Sequence, residues 1–408
     1  MAINREYPKN INILEKPFNS EMFFLFLFCL VWANNTLISD FKLVMYRLPF
    51  FNYITEIVVY LFFITAILLS VSYFFERLRL SDIFLYFAVA AGYQLGIQYA
   101  AYTEVATVLS EERRDFILFI LTLFLVGAAY RSEKVIDYLH VLSVYAIFAD
   151  LASLIIFGTD TLQISDDNMG MAYKLLPHVA LTAGYFFEKY KKIDLIAMII
   201  GFVLLISYGT RGPVVAIIVF AFAYFVFVKQ TKNKIVAYLA IILFLLVVFL
   251  FMDEIIDFLR EIVSSMGMST RILDSFKEGE IADPNGRDNI NKTLLSVIKE
   301  NPWGLGVAAD REFTTAYAHN IILELWVSFG VLGGSLIFGI LIALYISALS
   351  KCESSKEKTF IIALLCTNSF FKLFLSSSYL LEPNFFLLIG LCVGIIRRAK
   401  EKNTGEKL

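Results

Sequence analysis

The stretch AHNIILELWVSFGVLGGSLIFGILIALYISA, residues 318–348, decides the fold class, because it is a long and nearly continuous apolar run. A helix that spans a bilayer needs about 20 such residues, and this run is longer than that. Its GVLGG segment, residues 330–334, leaves two interpretations open. Either a short entering helix breaks there before the true crossing, or the whole run is one long tilted helix.

The composition of the remaining chain points the same way. Of the 408 residues, 59% are hydrophobic and only 18% are charged, which is too little polar surface for a soluble protein of this size. We therefore predict an all-α polytopic membrane protein with about 12 transmembrane helices. The predicted spans are 21–38, 54–75, 82–103, 115–131, 135–157, 172–188, 193–209, 212–229, 234–252, 318–348, 358–377 and 383–397.

The placement of lysine and arginine predicts the orientation of these spans. If the N-terminus is cytoplasmic, the short inner segments hold 21 of the 35 basic residues, and both termini are then cytoplasmic. The chain divides into transmembrane helices over 1–252, an extracytoplasmic loop over 253–317 and transmembrane helices over 318–408. Loops of that length are usually functional or disordered. The apolar spacing of IIDFLREIVSSM and NINKTLLSVIKENPWGLG predicts two short amphipathic helices in it.

Arg211 stands in SYGTRGPVVAII, between two apolar runs with almost no loop joining them. A charged side chain at that depth is costly unless it is paired or solvated, so it indicates a functional site. Pro213 suits the first turn of a following helix, whose positive N-terminal end would favour an anion. The alternative is an interfacial arginine that reaches towards water and merely ends a helix.

Arg287 is a second candidate on the same predicted face. It follows a turn in DPNGRDNINKTLL and could reach from the loop towards Arg211. The alternative is a solvated arginine paired with Asp283 or Asp288. Arg271 is a weaker candidate on the same loop.

His319 precedes the long apolar run and is one of only three histidines in the chain. A neutral histidine can act as a general base towards a hydroxyl, and nearby arginines would lower its pKa and keep it neutral. The alternative is a helix-start residue satisfied by backbone or water, with Asn320 as the helix cap.

Together these residues predict an anion site beside a base. Two arginines can hold a pyrophosphate bidentately and stabilise it as a leaving group without a divalent metal. His319 could then activate a sugar hydroxyl, and outer-face aromatics such as Tyr317 suit stacking on sugar rings. The sequence has no zinc motif, P-loop or dinucleotide fingerprint, so no cofactor is expected.

SYGTRGPVVAIIV resembles the small-residue S-x-S/T-R-G helix start of the O-antigen ligase/polymerase superfamily. The stretch from Asn285 to Gly334 is similar to that family's ordered signature of G-R, P-x-G-x-G, A-H-N and G-x-x-G. The strongest similarity covers residues 205–334, and the flanking spans are similar only in number and hydropathy.

The resemblance implies a membrane glycosyltransferase of the lipid-linked-sugar class, with a GT-C-like helical architecture. Its donor and acceptor would be undecaprenyl-pyrophosphate-linked glycans at the outer face of the bacterial plasma (inner) membrane. Arg211 and Arg287 would hold the pyrophosphate, and His319 would serve as base or orient the acceptor hydroxyl. Substrate binding would also involve Arg271, Tyr317 and Asn320. The implied partners are these glycans and the lipid bilayer, with a chain-length regulator as an optional partner and with no nucleic acid, metal or cofactor.

Within the family, we favour a polymerase that joins lipid-linked repeat units, because polymerases are the more diverse group. An O-antigen ligase that transfers a finished glycan to lipid A–core is the alternative. A lipid-linked oligosaccharide flippase or another transporter is an alternative from a different class, but it should show polar residues within several spans and repeated halves. A scaffold subunit that docks through residues 253–317 is a third alternative.

Overall fold

A computed structural model of the protein describes residues 20–33, 52–99, 116–131, 134–157, 168–208, 211–229, 252–265, 287–314, 317–367 and 369–404. Within these ranges the regular secondary structure is helical. The α-helices are α1 (Ser20–Ala33), α2 (Asn52–Arg77), α3 (Leu80–Tyr99), α4 (Thr122–Ala128), α5 (Lys134–Phe157), α6 (Asn168–Lys189), α7 (Lys192–Ser207), α8 (Arg211–Phe227), α9 (Met252–Ser265), α10 (Arg287–Glu300), α11 (Asp310–Thr314), α12 (Ile321–Lys351), α13 (Ser355–Cys366) and α14 (Pro383–Thr404). A π-helical turn (Phe116–Ile120) precedes α4, and a 3₁₀ turn (Lys372–Phe374) precedes α14.

Several predicted spans agree with observed helices. Helices α2, α5, α6, α7 and α8 lie where spans were expected, and α9 and α10 are the two helices expected in the long loop. Two described helices, α12 and the Lys134–Ile155 part of α5, are long and apolar enough to cross a membrane. The predicted span at 234–252 lies outside the described residues except for Met252. The number of twelve crossings stays a prediction.

Large apolar side chains cover much of the outer surface. Leu80 is 84% exposed, Phe75 80% and Leu332 72%, and many others are more than half exposed. Apolar patches of this extent are unfavourable in water, whereas lipid chains solvate them without penalty. The helical secondary structure and the apolar surface together are those of a helical membrane protein.

Helix α12 contains the break that one of the two interpretations of its sequence predicted. Gly330 has φ 74° and ψ 168°, which is far from helical values, and the helix resumes beyond it. The interpretation as one long uninterrupted helix is therefore wrong. The other residue types rarely adopt this positive φ, so the break depends on glycine.

The predicted span at 358–377 is helical only in its first half. Helix α13 ends at Cys366 after 12 residues, a length of roughly 18 Å, which is less than the hydrocarbon thickness. Residues 369–382, here called the 369–382 segment, then form turns and the short 3₁₀ turn. Polar side chains explain the difference, because Lys372 and Ser378 of this segment are held by Glu382 and Glu324.

Three apolar clusters hold the helices together. One joins α1 and α2 to α4, α12 and α14, and the second joins α5 to α8 with α13. The third packs α10 against the first half of α12, through Leu294, Ile298, Ala318, Leu323 and Val327. This third cluster fixes α10, in the predicted extracytoplasmic loop, over the beginning of α12.

A group of ion pairs lies at the end of the helices that is opposite to the beginning of α12. Glu401 pairs with Arg79 at 2.5 Å and with Arg131 at 2.7 Å, while Arg397 pairs with Asp82. Lys356 bonds to Asp137 at 2.8 Å, which adds the starts of α5 and α13 to the same end. These residues lie in or beside segments that the predicted topology places on the inner side of the membrane. The structure therefore brings residues predicted to share one side of the membrane together at one end of the helices. The identity of that side as cytoplasmic stays a prediction.

Candidate active site at the start of helix α12

His319 lies in the short turn that leads into α12. Its backbone has φ 53°, a left-handed conformation that a non-glycine residue adopts only when its surroundings impose it. Asn320 follows as the N-cap, and its side-chain oxygen accepts hydrogen bonds from Ile322 N at 3.0 Å and Leu323 N at 3.5 Å. The cap fixes where the helix begins and therefore where the imidazole stands.

A buried carboxylate holds this turn from behind. Asp310, the first residue of α11, is fully buried, and its Oδ2 accepts a hydrogen bond from the backbone N–H of Ala318 at 2.8 Å. Burial raises the pKa of Asp310 to about 6, although Arg311 and backbone donors oppose the shift. The contact joins α11 to the residue immediately before His319.

The loop that follows α10 packs against the break in α12 and forms hydrogen bonds with its backbone. The carbonyls of Val327 and Ser328, freed by the break, accept hydrogen bonds from Leu305 N at 2.7 Å and Gly306 N at 3.1 Å. Val331 N donates in return to the carbonyl of Pro302 at 2.9 Å. Backbone groups that would be unsatisfied in an interrupted helix are thus paired.

Glycines make this contact possible. A Cβ on Gly330 would lie 2.6 Å from Pro302 O, and Gly304 faces Gly330 so closely that neither position has room for a side chain. Gly304 also has φ +88°. The P-x-G-x-G and G-x-x-G parts of the sequence pattern are therefore the two halves of one interlock, which we call the glycine interlock.

Arg287 acts electrostatically on His319. It is the first residue of α10, which packs on α12 through the third apolar cluster. Burial lowers the pKa of His319 to about 4, and the positive charge of Arg287 contributes to the shift. An imidazole in this setting is neutral near pH 7, as a general base requires. Its Nδ1 is buried and has no hydrogen-bond partner among the described residues.

Tyr317 completes the histidine's immediate surroundings. Its ring centroid lies 4.3 Å from that of His319, and its hydroxyl donates to the carbonyl of Ser376 at 3.1 Å. The 369–382 segment therefore lies next to the turn that carries His319. Glu324, one turn into α12 and buried, bonds to Ser378 and to the backbone N–H of Tyr379 of the same segment.

Tyr173, near the start of α6, connects the start of α8 to this group. A Cβ on Gly212 would lie 3.1 Å from Tyr173 Cζ and closer still to its hydroxyl oxygen. Tyr173 also interacts electrostatically with Arg287 and is hydrogen-bonded to Ser376. The structure describes the backbone of Arg211, the first residue of α8, but not its side chain. The start of α8 thus lies beside the same tyrosine that Arg287 approaches.

The predicted site residues therefore divide into three groups. Arg287 acts electrostatically on His319, whose ring lies beside that of Tyr317, and Gly212, the neighbour of Arg211, lies against Tyr173. Asn320 is the helix cap that one interpretation predicted. Its participation in substrate binding stays a prediction. Arg271 lies outside the described residues.

The other two histidines have structural surroundings. His178 Nδ1 lies 3.0 Å from Ser143 Oγ, which also accepts from Trp32 Nε1 at 3.0 Å. His140 Nε2 lies 2.9 Å from Asp194, and its ring stacks on Tyr185 with centroids 3.8 Å apart. Neither histidine is in contact with the turn at His319 in the described part of the chain.

Sequence reasoning missed five residues that shape this site: Tyr173, Asp310, Ser376, Lys372 and Glu382. Lys372 carried a usable signal, because it is a charge inside the apolar run 369–381, as Arg211 is at its own position. Among the described residues, no group of three or more histidine, cysteine, aspartate or glutamate side chains is arranged to hold a metal ion.

Comparison with protein families identifies the part of the chain that carries this site. Residues 196–338 match the family model described as O-Antigen ligase. The matched range includes Arg211, Arg287, His319 and both halves of the glycine interlock. No curated protein and no solved structure matches the chain. The match over residues 196–338 supports the resemblance of this part of the chain to the O-antigen ligase/polymerase superfamily.

Proposed function

We propose that the protein is a membrane glycosyltransferase that polymerises undecaprenyl-pyrophosphate-linked repeat units at the outer face of the bacterial plasma membrane. The observation that carries the proposal is the approach of Arg287 to His319, at the end of the molecule where α8 begins with Arg211. The family match over residues 196–338 supports lipid-linked glycan substrates and a reaction within the membrane.

In the proposed reaction the acceptor's sugar hydroxyl attacks the anomeric carbon of the donor. The new carbon–oxygen bond forms as the bond from that carbon to the diphosphate oxygen breaks, and the electron pair leaves with the diphosphate. His319 accepts the hydroxyl proton, which its neutral state permits. Arg211 and Arg287 stabilise the departing diphosphate, with no metal required.

The topology that goes with this proposal has both termini in the cytoplasm and the site outside. The ion-pair group around Glu401 then faces the cytoplasm, in agreement with its lysines and arginines. Cysteine accessibility to a membrane-impermeant thiol reagent tests this topology. A single cysteine at the exposed Trp303 should react in intact cells, whereas one at the exposed Lys402 should not.

A reaction with purified protein tests the function. Defined lipid-linked repeat units, given alone and in the presence or absence of a chelator, should yield a ladder of products from the wild type. Arg211→Ala, Arg287→Ala and His319→Ala should each abolish the ladder. Full activity in all three variants would refute the site, and a strict requirement for a divalent metal would refute the account of the leaving group.

The description of the matching family as O-Antigen ligase supports a second candidate, a ligase. A ligase given only lipid-linked repeat units makes no ladder, but it transfers the glycan when a lipid A–core acceptor is added. The same assay with and without that acceptor therefore separates the two activities.

A further inference from the structure

The 369–382 segment carries a charged pair beside the candidate site. Lys372 Nζ lies 2.7 Å from Glu382 Oε2, and Ser377 Oγ lies 3.5 Å from the same oxygen. Glu382 is only 4% exposed, whereas the lysine side chain is 20% exposed. A buried carboxylate that faces a partly accessible ammonium satisfies its own charge while the ammonium can still reach a ligand.

Tyr173 connects this lysine to Arg287. The ammonium of Lys372 lies 5.1 Å from the centroid of the Tyr173 ring, as in a cation–π contact. The same tyrosine interacts electrostatically with Arg287, and its hydroxyl borders Gly212 at the start of α8. The side chain of Tyr173 therefore connects the surroundings of Lys372, Arg287 and Arg211.

The backbone around Lys372 is irregular. Residues 369–382 follow a helix too short to cross a bilayer and are not α-helical. Irregular backbone at membrane depth persists only where protein buries it or where it lines a water-filled cavity. An ammonium group has three donor protons, and Glu382 uses one of them, so others are available to an incoming anion.

The proposed reaction creates a third negative charge on the diphosphate. A diphosphate esterified at both ends has two negative charges. When the sugar departs, the new terminal phosphate acquires a further charge near neutral pH, since its second pKa is about 6. Arg211 and Arg287 match the two charges of the substrate, and the additional charge has no counterpart in that pair.

We propose that Lys372 is a third diphosphate-binding residue that stabilises the charge developing on the leaving group, and that Glu382 positions it. This inference rests on the proposed function. Because the extra charge appears only as the glycosidic bond breaks, Lys372 acts more on the transition state and on the released polyprenyl diphosphate than on the bound substrate.

Binding of farnesyl diphosphate, a short polyprenyl diphosphate with a free terminal phosphate, tests the proposal without turnover. Lys372→Gln should weaken its binding by roughly tenfold or more, the size of one charge-assisted hydrogen bond. In the polymerisation assay the same variant should lower kcat more than it raises KM. Lys372→Arg keeps the charge and should recover most of the binding.

A double variant separates this role from a purely structural ion pair. Lys372→Gln with Glu382→Gln replaces two charges by two amides that can bond to each other, so its melting temperature should stay near that of the wild type. If it still binds farnesyl diphosphate as tightly as the wild type, the proposal for Lys372 is wrong. Weak binding by this well-folded variant supports it.

Arg287→Gln distinguishes failure of this inference from failure of the proposed function. Loss of farnesyl diphosphate binding in Arg287→Gln, with unchanged binding in the double variant, overturns only the role of Lys372. Unchanged binding in Arg287→Gln as well overturns the diphosphate site itself.

Discussion

The carboxylate of Asp310 accepts a hydrogen bond from the backbone N–H of Ala318 at 2.8 Å, and His319 follows with φ 53°. The histidine's left-handed backbone is thus fixed from one side by Asp310 and from the other by the Asn320 cap. A general base needs a defined position more than it needs an unusual pKa, because proton transfer requires hydrogen-bond reach. The turn supplies that position with only two side chains.

Asp310→Ala should lower kcat by roughly 10- to 100-fold, because it leaves the Ala318 N–H buried without an acceptor, which costs about 1–3 kcal/mol. Asp310→Asn is the matched control, since the amide oxygen can accept the same hydrogen bond without a buried charge. We expect Asp310→Asn to keep activity within a few-fold of the wild type in the polymerisation assay. Equal losses in both variants would show that the negative charge, and not the acceptor, matters.

The activity should depend on the neutral form of His319. Because its pKa is lowered to about 4, the acid limb of the kcat/KM profile should have its midpoint near pH 4, with the neutral base present above it. Arg287→Gln removes a positive charge that disfavours imidazolium, so the midpoint should move upward, towards the ordinary histidine value of about 6.5. The measurement is the shape of the pH profile, not its height, since the variant also lacks a proposed diphosphate-binding residue.

Asp310 also titrates in this range, because burial raises its pKa to about 6. The Asp310→Asn variant has no such titration. It should therefore retain the limb near pH 4 if His319 is its origin. If the acid limb of the pH profile disappears in Asp310→Asn, the pH dependence belongs to the carboxylate of Asp310.

The glycine interlock should be sensitive to a single methyl group. Gly330→Ala places a Cβ 2.6 Å from Pro302 O and forces a residue with a side chain to φ 74°, so we expect a loss of about 1–3 kcal/mol in stability and a marked loss of activity. Gly339→Ala in the same helix meets nothing within 4 Å and should be neutral, or more stable by up to about 1 kcal/mol. Thermal unfolding in detergent would contradict this account if the two variants melted alike.

Much of the helical framework could be predicted from the sequence, because bilayer thickness dictates the length of an apolar run. The predicted bounds of α2, α5 and α8 are close to the observed ones for this reason. The same rule overextended the helix at 358–377, since apolar residues are the majority in FIIALLCTNSFFKLFLSSSYLL. Hydropathy does not detect that Thr367 leaves the helix or that Glu324 and Glu382 draw the following polar residues inward.

The candidate site was predictable where a charge lay in an improbable place. Arg211 and His319 stand at the borders of apolar runs, and Arg287 follows a turn signal, so each could be singled out from its neighbours. Asp310 could not, because an aspartate in a polar loop is ordinary until packing buries it. Its burial depends on α10 and α11 together covering the start of α12.

The role of Asn320 can be separated into capping and substrate contact. Its side-chain oxygen accepts from Ile322 N at 3.0 Å, so Asn320→Ala should cost about 1 kcal/mol in stability and reduce activity by displacing His319. Asn320→Ser retains an N-cap acceptor but removes the amide nitrogen. We expect it to restore both the melting temperature and the activity, because the cap is the contact that the structure shows. A wild-type melting temperature with a clearly raised KM in Asn320→Ser would contradict this expectation, and it would assign the amide nitrogen to the substrate.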